Sequence, residues 1–284
     1  MHIEPHLVRK SVVLAAVALA LGVPGCAHQA PVNAPAPDLA KAPPQAAEKR
    51  AEPTPPPPPI VEQAALDRLK ALSDKLAAAK AFTYRSRSTV ELPAKTGQFL
   101  THFIESEVVL ERPNKLVSKI SGDVSNFEFY YDGTTITALD PKKNLYATTA
   151  APATIDAMLP FVTEKIGIDF PSADFMYSNP YAELTKDLTH AIVVGPAKVN
   201  GVACEHFAYM GPAANFELWI EAGENPLPRR VAVTYKTVEN FPRFLVEYLD
   251  WNLKPKLSAS QFALKKPAGA KQIEFGSHAG QANP

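Results

Sequence analysis

Cysteine is nearly absent from this 284-residue chain, which holds only Cys26 and Cys204, together with two tryptophans and 13 glycines. If the Cys26 thiol is modified, one thiol remains and no intramolecular disulfide can staple the fold. No CxxC spacing, glycine-rich phosphate loop or nucleophile elbow occurs, and no HxxxH spacing occurs after residue 25. The motifs therefore supply no metal-ligand frame, no cofactor site and no hydrolase triad. An excess of one charge is missing too: Lys plus Arg, 29, equals Asp plus Glu, 29, and a chain without a net field has no electrostatic footprint for nucleic acid. The uncharged apolar run from Val12 to Val23 is shorter than the roughly twenty residues a bilayer-spanning helix needs.

What that run does match is an export signal. Arg9 and Lys10 precede it and Pro24-Gly25-Cys26 follows, the order of a basic n-region, an apolar h-region and a small-residue cleavage zone. Residues 1–25 are read as a lipoprotein signal peptide, because Val23-Pro24-Gly25-Cys26 resembles a bacterial lipobox with Cys26 as the lipidated residue. Pro24 departs from the small or β-branched residue usual in that pattern, and an ordinary secretory cut near Ala27 is the alternative. With Cys26 acylated, each buried methylene adds ~0.8 kcal/mol of anchoring. Ala27 at the following position favours the periplasmic face of the outer membrane; without the lipobox the protein is expected in the periplasm.

From Ala27 to Pro59 the chain holds 11 of its 28 prolines and no Phe, Trp, Tyr, Ile or Met. Such a stretch cannot bury a core and populates polyproline II, so residues 26–60 are read as the modified cysteine plus a disordered tether. The folded unit is expected over 61–275, with 276–284 a disordered tail. It opens with an amphipathic helix in which Leu66, Leu69, Leu72, Leu76 and Ala79 recur at spacings of three and four. After Phe82 the period becomes two, and Asp132-Gly133, Asp140 to Asn144 and Asn200-Gly201 mark tight turns in a series of short strands. Between Pro152 and Tyr181 the alternation stops. Ile155, Met158, Leu159, Val162 and Ile166 keep helical spacing there, and Pro160, Pro171 and Pro180 cut the stretch into short helices. The fold class is therefore α+β: a large curved antiparallel sheet with an N-terminal helix and a few short helices on one face.

Arg112-Pro113-Asn114-Lys115-Leu116, Tyr131-Asp132-Gly133-Thr134-Thr135-Ile136 and Asp140-Pro141 through Tyr146-Ala147-Thr148 look like the lipoprotein-carrier superfamily of LolA, LolB, LppX and RseB. Val199 to His206, Leu218 to Gly223 and Pro226 to Arg230 resemble, within it, a family of predicted periplasmic proteins of unknown function. The resemblance implies an incomplete β-barrel lidded by helices, LolA-like, with an apolar interior for acyl chains. It also implies that Arg112, in the Arg-Pro-Asn motif, helps to hold the lid shut.

The candidate ligand residues follow from strand faces and helix spacing. Phe127, Phe129 and Tyr131 share one face of a strand, and Phe216, Leu218 and Ile220 share one face of another. Ile155, Met158, Leu159 and Val162 are the lid candidates. In a closed sandwich all of these would be ordinary core; beneath a half-barrel they line a cavity. Cys204 and His206 leave one strand face together but lack a third ligand or partner, so packing is their expected role. Glu105 and Glu107 read as a solvated edge, and the five lysines between Lys254 and Lys271 as a solvated tail. The functional expectation is an outer-membrane lipoprotein, not an enzyme, that binds a lipid or the acyl chains of a lipoprotein. The alternatives are an envelope sensor or assembly factor that binds a protein partner through the same fold, and a hydrolase without recognisable motifs.

Overall fold

The computed structural model describes residues 58–276 except 169, 171 and 172. Cys26, the signal segment and the tether up to residue 57 lie outside the described residues.

Helix α1, Gln63–Ala78, buries Ala65, Leu69, Leu72, Ser73 and Leu76. These fall at spacings of three and four, so they form one stripe, and each buried leucine contributes ~1.5–3 kcal/mol. The chain then turns extended at Ala79 and enters a hairpin of two long strands, β1 (Ala81–Pro93) and β2 (Phe99–Glu111). A meander follows: β3 (Lys115–Gly122), β4 (Phe127–Tyr131), β5 (Thr135–Asp140) and β6 (Leu145–Ala150). The helical insertion comprises α2 (Ile155–Phe161), a π turn over Val162–Ile166, a 3-10 turn over Ala173–Met176 and α3 (Pro180–Thr185). A second meander closes the order with β7 (His190–Val199), β8 (Val202–Met210), β9 (Ala214–Glu221), β10 (Pro228–Tyr235) and β11 (Arg243–Asn252), and a short β12 (Lys271–Ile273) comes last.

All twelve strands form one curved sheet that does not close, in the order β12-β6-β5-β4-β3-β2-β1-β11-β10-β9-β8-β7. The two meanders are joined through β1 and β11, which pair from Val90↔Phe244 to Thr83↔Asn252. Near the end of that ladder the register slips between Thr83 and Arg85. Asp250 there adopts φ 54, the kink of a bulge that sharpens local twist.

The turns behave as their residues require. Asn200 and Gly201 both have positive φ, 46 and 84, the mirror-image geometry a two-residue hairpin needs. At the β4–β5 turn, Asp132 Oδ1 accepts from the Thr134 and Thr135 amides at 2.9 and 2.8 Å. Burial pushes the Asp132 carboxyl up, but these bonds outweigh it and hold its pKa below the ordinary value.

Two expectations change. Glu105 and Glu107 lie in the middle of the sheet, where Arg87 faces Glu105 across the β1–β2 ladder at 3.1 Å, so they are a charge ladder and not an edge. The lysine-rich end is not a solvated tail either. Phe262, 1% exposed, packs with Val117 and Tyr130, and Leu257 and Leu264 join it. β12 then adds to β6 as a parallel strand. The physical reason is the three apolar residues interspersed among the lysines, which bind the segment to the outer face of the sheet.

Candidate functional site: the inner face and its lid

The strand register places the sequence candidates on one face. Phe129 lies opposite Ser118 and Ala138, and Leu218 opposite Phe207 and Val231. With α1 and the insertion they share a single apolar cluster. Phe129, Tyr131, Met158, Val162 and Ile220 are fully buried, Ile155, Leu159 and Leu218 nearly so, and Phe127 and Phe216 are half-buried against the same cluster. The side chains singled out in sequence therefore do come together.

Burial along this face is graded. At the end of the strands nearest Arg112, residues Phe82, Leu110, Leu116, Tyr131, Ile136 and Ile220 are all 0% exposed. An aromatic group plugs that end: Trp251 packs on Tyr84 at 4.6 Å and on Phe82 and Tyr248 at 5.6 Å. Phe175 of the 3-10 turn meets Tyr248 at 5.8 Å, and Trp251 Nε1 donates to Pro228 O at 2.9 Å. Towards the opposite hairpin ends, Leu92, Ile104, Phe127, Phe216, Val233 and Tyr235 are only half-buried, and Leu100 is 41% exposed. The inner face has a closed end and an open mouth. Apolar area left in water at the mouth forgoes ~25 cal/mol per Å² of burial.

The insertion fills the space between. Ile155, Met158 and Leu159 from α2, Val162 and Ile166 from the π turn, and Phe175 and Met176 from the 3-10 turn are all buried. None of its helices exceeds seven residues, and Pro160 interrupts α2. Segments this short do not hold a helix by themselves. What holds them is the docking of these seven side chains on the inner face. The insertion has the construction of a lid.

The insertion is fastened at the closed end, where two motifs meet. A Cβ on Gly133, at φ +100, would sit 2.5 Å from Asn114 Nδ2, so Tyr131-Asp132-Gly133 and Arg112-Pro113-Asn114 are in contact and only glycine fits. Pro113 O accepts from the Ile155 amide at 2.9 Å, and Tyr131 Oη donates to Pro152 O at 2.5 Å. Burial, with Asp132 adding, pushes the Tyr131 phenol up to about 12. Arg112 Nη1 donates to Met176 O at 2.7 Å, and its guanidinium lies 5.8 Å from the Phe82 ring centre. Among the described residues Arg112 makes no ion pair of the surface kind that an arginine at a strand end ordinarily forms. Its Nε and Nη2 are buried without a partner. Burial lowers its pKa although Asp156 works the other way. Sequence reasoning found Arg112 by its motif but missed Asn114, Gly133 and Pro152; the co-occurrence of the two motifs was the available signal.

Cys204 and His206 point away from this interior. Cys204 is 2% exposed, and burial raises its thiol pKa. The His206 ring stacks on Trp219 at 4.0 Å, with Nε2 3.1 Å from Glu217 Oε2. Among the described residues no group of three His, Cys, Asp or Glu side chains is arranged to hold a metal, and no helix is long and apolar enough to cross a membrane.

Residues 65–276 match the family described as predicted periplasmic protein (DUF2092), and the chain belongs to that family. No curated protein matches the sequence significantly. Among solved structures it is similar to an uncharacterized conserved protein from Thermus thermophilus, at 9% identity and a TM-score of 0.42, covering 75% of this chain and 98% of that one. It is similar to the Mycobacterium tuberculosis lipoprotein LppX, at 12% identity and a TM-score of 0.41, covering 69% and 100%. A LolA superfamily protein from Nitrosomonas europaea is a third, at 10% identity and a TM-score of 0.35, covering 72% and 98%.

Proposed function

We propose that this protein holds an acyl-chain-bearing ligand, a lipid or a lipoprotein anchor, against the inner face of its sheet, and that Cys26 fixes it to the periplasmic side of the outer membrane. Its task is binding rather than turnover. The observation that carries the reading is the graded inner face: apolar throughout, plugged by aromatics at one end, open at the other and covered by a lid of short helices. A polar ligand would find few groups to bond there, since Ser86 and Ser118 are the only buried polar residues of the inner strands among the described residues.

Magnitudes constrain how a chain enters. Exposing all seven buried lid side chains to water would cost roughly 10–20 kcal/mol. An acyl chain of about sixteen carbons returns roughly 12 kcal/mol at ~0.8 kcal/mol per methylene. Over most of that range the exchange is favourable only if the lid slides onto the ligand and does not leave for solvent, so ligand and lid share the interior.

The test is made on the full chain carrying Cys26→Ala, purified without detergent. Native mass spectrometry should show co-purified lipid, and a fluorescent fatty acid should bind saturably. Leu92→Gln with Val233→Gln, both at the mouth, should weaken that binding several-fold. Absence of both lipid and uptake would dismiss the reading and leave a protein partner as the ligand.

A further inference from the structure

The outer face of the sheet carries two charge designs. Across β8 to β2, arginines are matched one by one with carboxylates: Arg87 with Glu105, Arg243 with Glu217, Arg85 with Asp250, Arg229 with Glu221 and Arg230 with Glu247. Across β3 to β6 the segment 254–273 lies as a strap. It is fixed at several points: Phe262 is buried on Val117 and Tyr130, a capping box joins Ser258 and Gln261, Asn144 Nδ2 donates to Ala268 O at 3.0 Å, and β12 pairs with β6. This strap contains Lys254, Lys256, Lys265, Lys266 and Lys271, with no acid and no arginine.

All five lysines are exposed, and among the described residues no ion pair joins any of them to a carboxylate. The acids beneath are already engaged by lysines of the sheet, Glu111 by Lys115 at 2.6 Å, Glu128 by Lys119 at 4.0 Å and Asp140 by Lys143 at 3.7 Å. The strap's apolar side chains, Leu257, Phe262 and Leu264, are spent inward. Lys266 Nζ lies 4.6 Å over the Tyr146 ring, and what the strap presents outward is an ordered row of positive points.

We propose that this strap is a docking face for an anionic bilayer surface, its lysines meeting lipid phosphates. Residue choice favours a bilayer over a protein. Fixed, directional partners on the same sheet are met by arginine forks, whereas lysine is a compact, hydrated charge suited to a diffuse anionic plane. With its apolar groups turned in, the strap rests on the surface and does not insert, so its attachment is electrostatic and salt-sensitive.

The experiment uses the full chain carrying Cys26→Ala, so that no acyl anchor contributes, sedimented with phosphatidylcholine vesicles with or without phosphatidylglycerol. Each lysine near such a surface multiplies partitioning by about five. The combined Lys254→Gln, Lys256→Gln and Lys265→Gln variant should therefore bind on the order of a hundredfold more weakly, and the matching Lys→Arg variant should bind like the parent. Binding of the parent should require phosphatidylglycerol and fall away when salt is raised to about 0.5 M. Equal binding to both vesicles, insensitivity to salt, a glutamine variant that binds like the parent, or a loss shared by the arginine variant would each overturn the proposal.

Discussion

Replacing Arg112 by methionine keeps most of the side chain's stem and removes the guanidinium from the lid's fastening. In favour of the native arginine stand its bond to Met176 O at 2.7 Å, ~1.5–3 kcal/mol for a charged donor, and its place 5.8 Å from the Phe82 ring centre, roughly 0.5–2 kcal/mol. Against it stand two buried nitrogens without partners, each costing ~1–3 kcal/mol. Burial works against the charge, in the same direction as the two unpartnered nitrogens, and Asp156 only partly counters it. Arg112 thus places the lid while loading it. Methionine removes the load and packs on Phe82, which should favour the closed state by about 1–2 kcal/mol, as apolar replacements of buried ions often do. Hydrogen exchange of peptides within 152–189 should slow roughly tenfold, and fatty-acid uptake should slow with it. Faster exchange in that segment, with the sheet unchanged, would refute the reasoning and make Arg112 a net lock.

Three further outcomes follow from the same geometry. Burial raises the Asp174 carboxyl from 3.8 to about 6, so the folded state binds this proton more tightly than the unfolded chain does. The group's contribution is fully present below about 3.8 and lost as pH rises through 6; Asp174→Asn should raise the Tm at pH 8, by about 1–3 kcal/mol of stability, and leave it unchanged near pH 3, which thermal melts at the two pH values will show. Phe262→Ala removes the strap's anchor at ~3–5 kcal/mol, and limited trypsin digestion should then cut after Lys256 and Lys265 while the sheet stays protected. The mature native protein should carry the added mass of acyl chains on Cys26 by mass spectrometry; an unmodified Cys26 would deny the acyl anchor.

Much of the scaffold was legible because local patterns agree with the tertiary outcome. The spacing of Leu69, Leu72 and Leu76 specified α1, and alternation plus Asp132-Gly133 and Asn200-Gly201 placed the hairpins. The pairing of β1 with β11 was not legible, since the partners are more than 150 residues apart and no turn links them. Without that strand order the closed end and the mouth cannot be told apart: Phe127 and Phe129 look equivalent in sequence, yet one is half-buried and the other 0% exposed. The outer ladder of Arg87 and Glu105 needed the register for the same reason. The strap was misread because five lysines dominate its composition, while Leu257, Phe262 and Leu264, the residues that fix it, are few.

The central claim is that ligand and lid share the inner face. It is tested most directly by irradiating the protein with a fatty acid that carries a photoreactive group along its chain and mapping the adducts by mass spectrometry. Adducts should fall on Phe129 and Leu218 of the sheet and on Met158 of the lid, in competition with unlabelled fatty acid. Adducts confined to the outer face, or none at a saturating probe concentration, would contradict it.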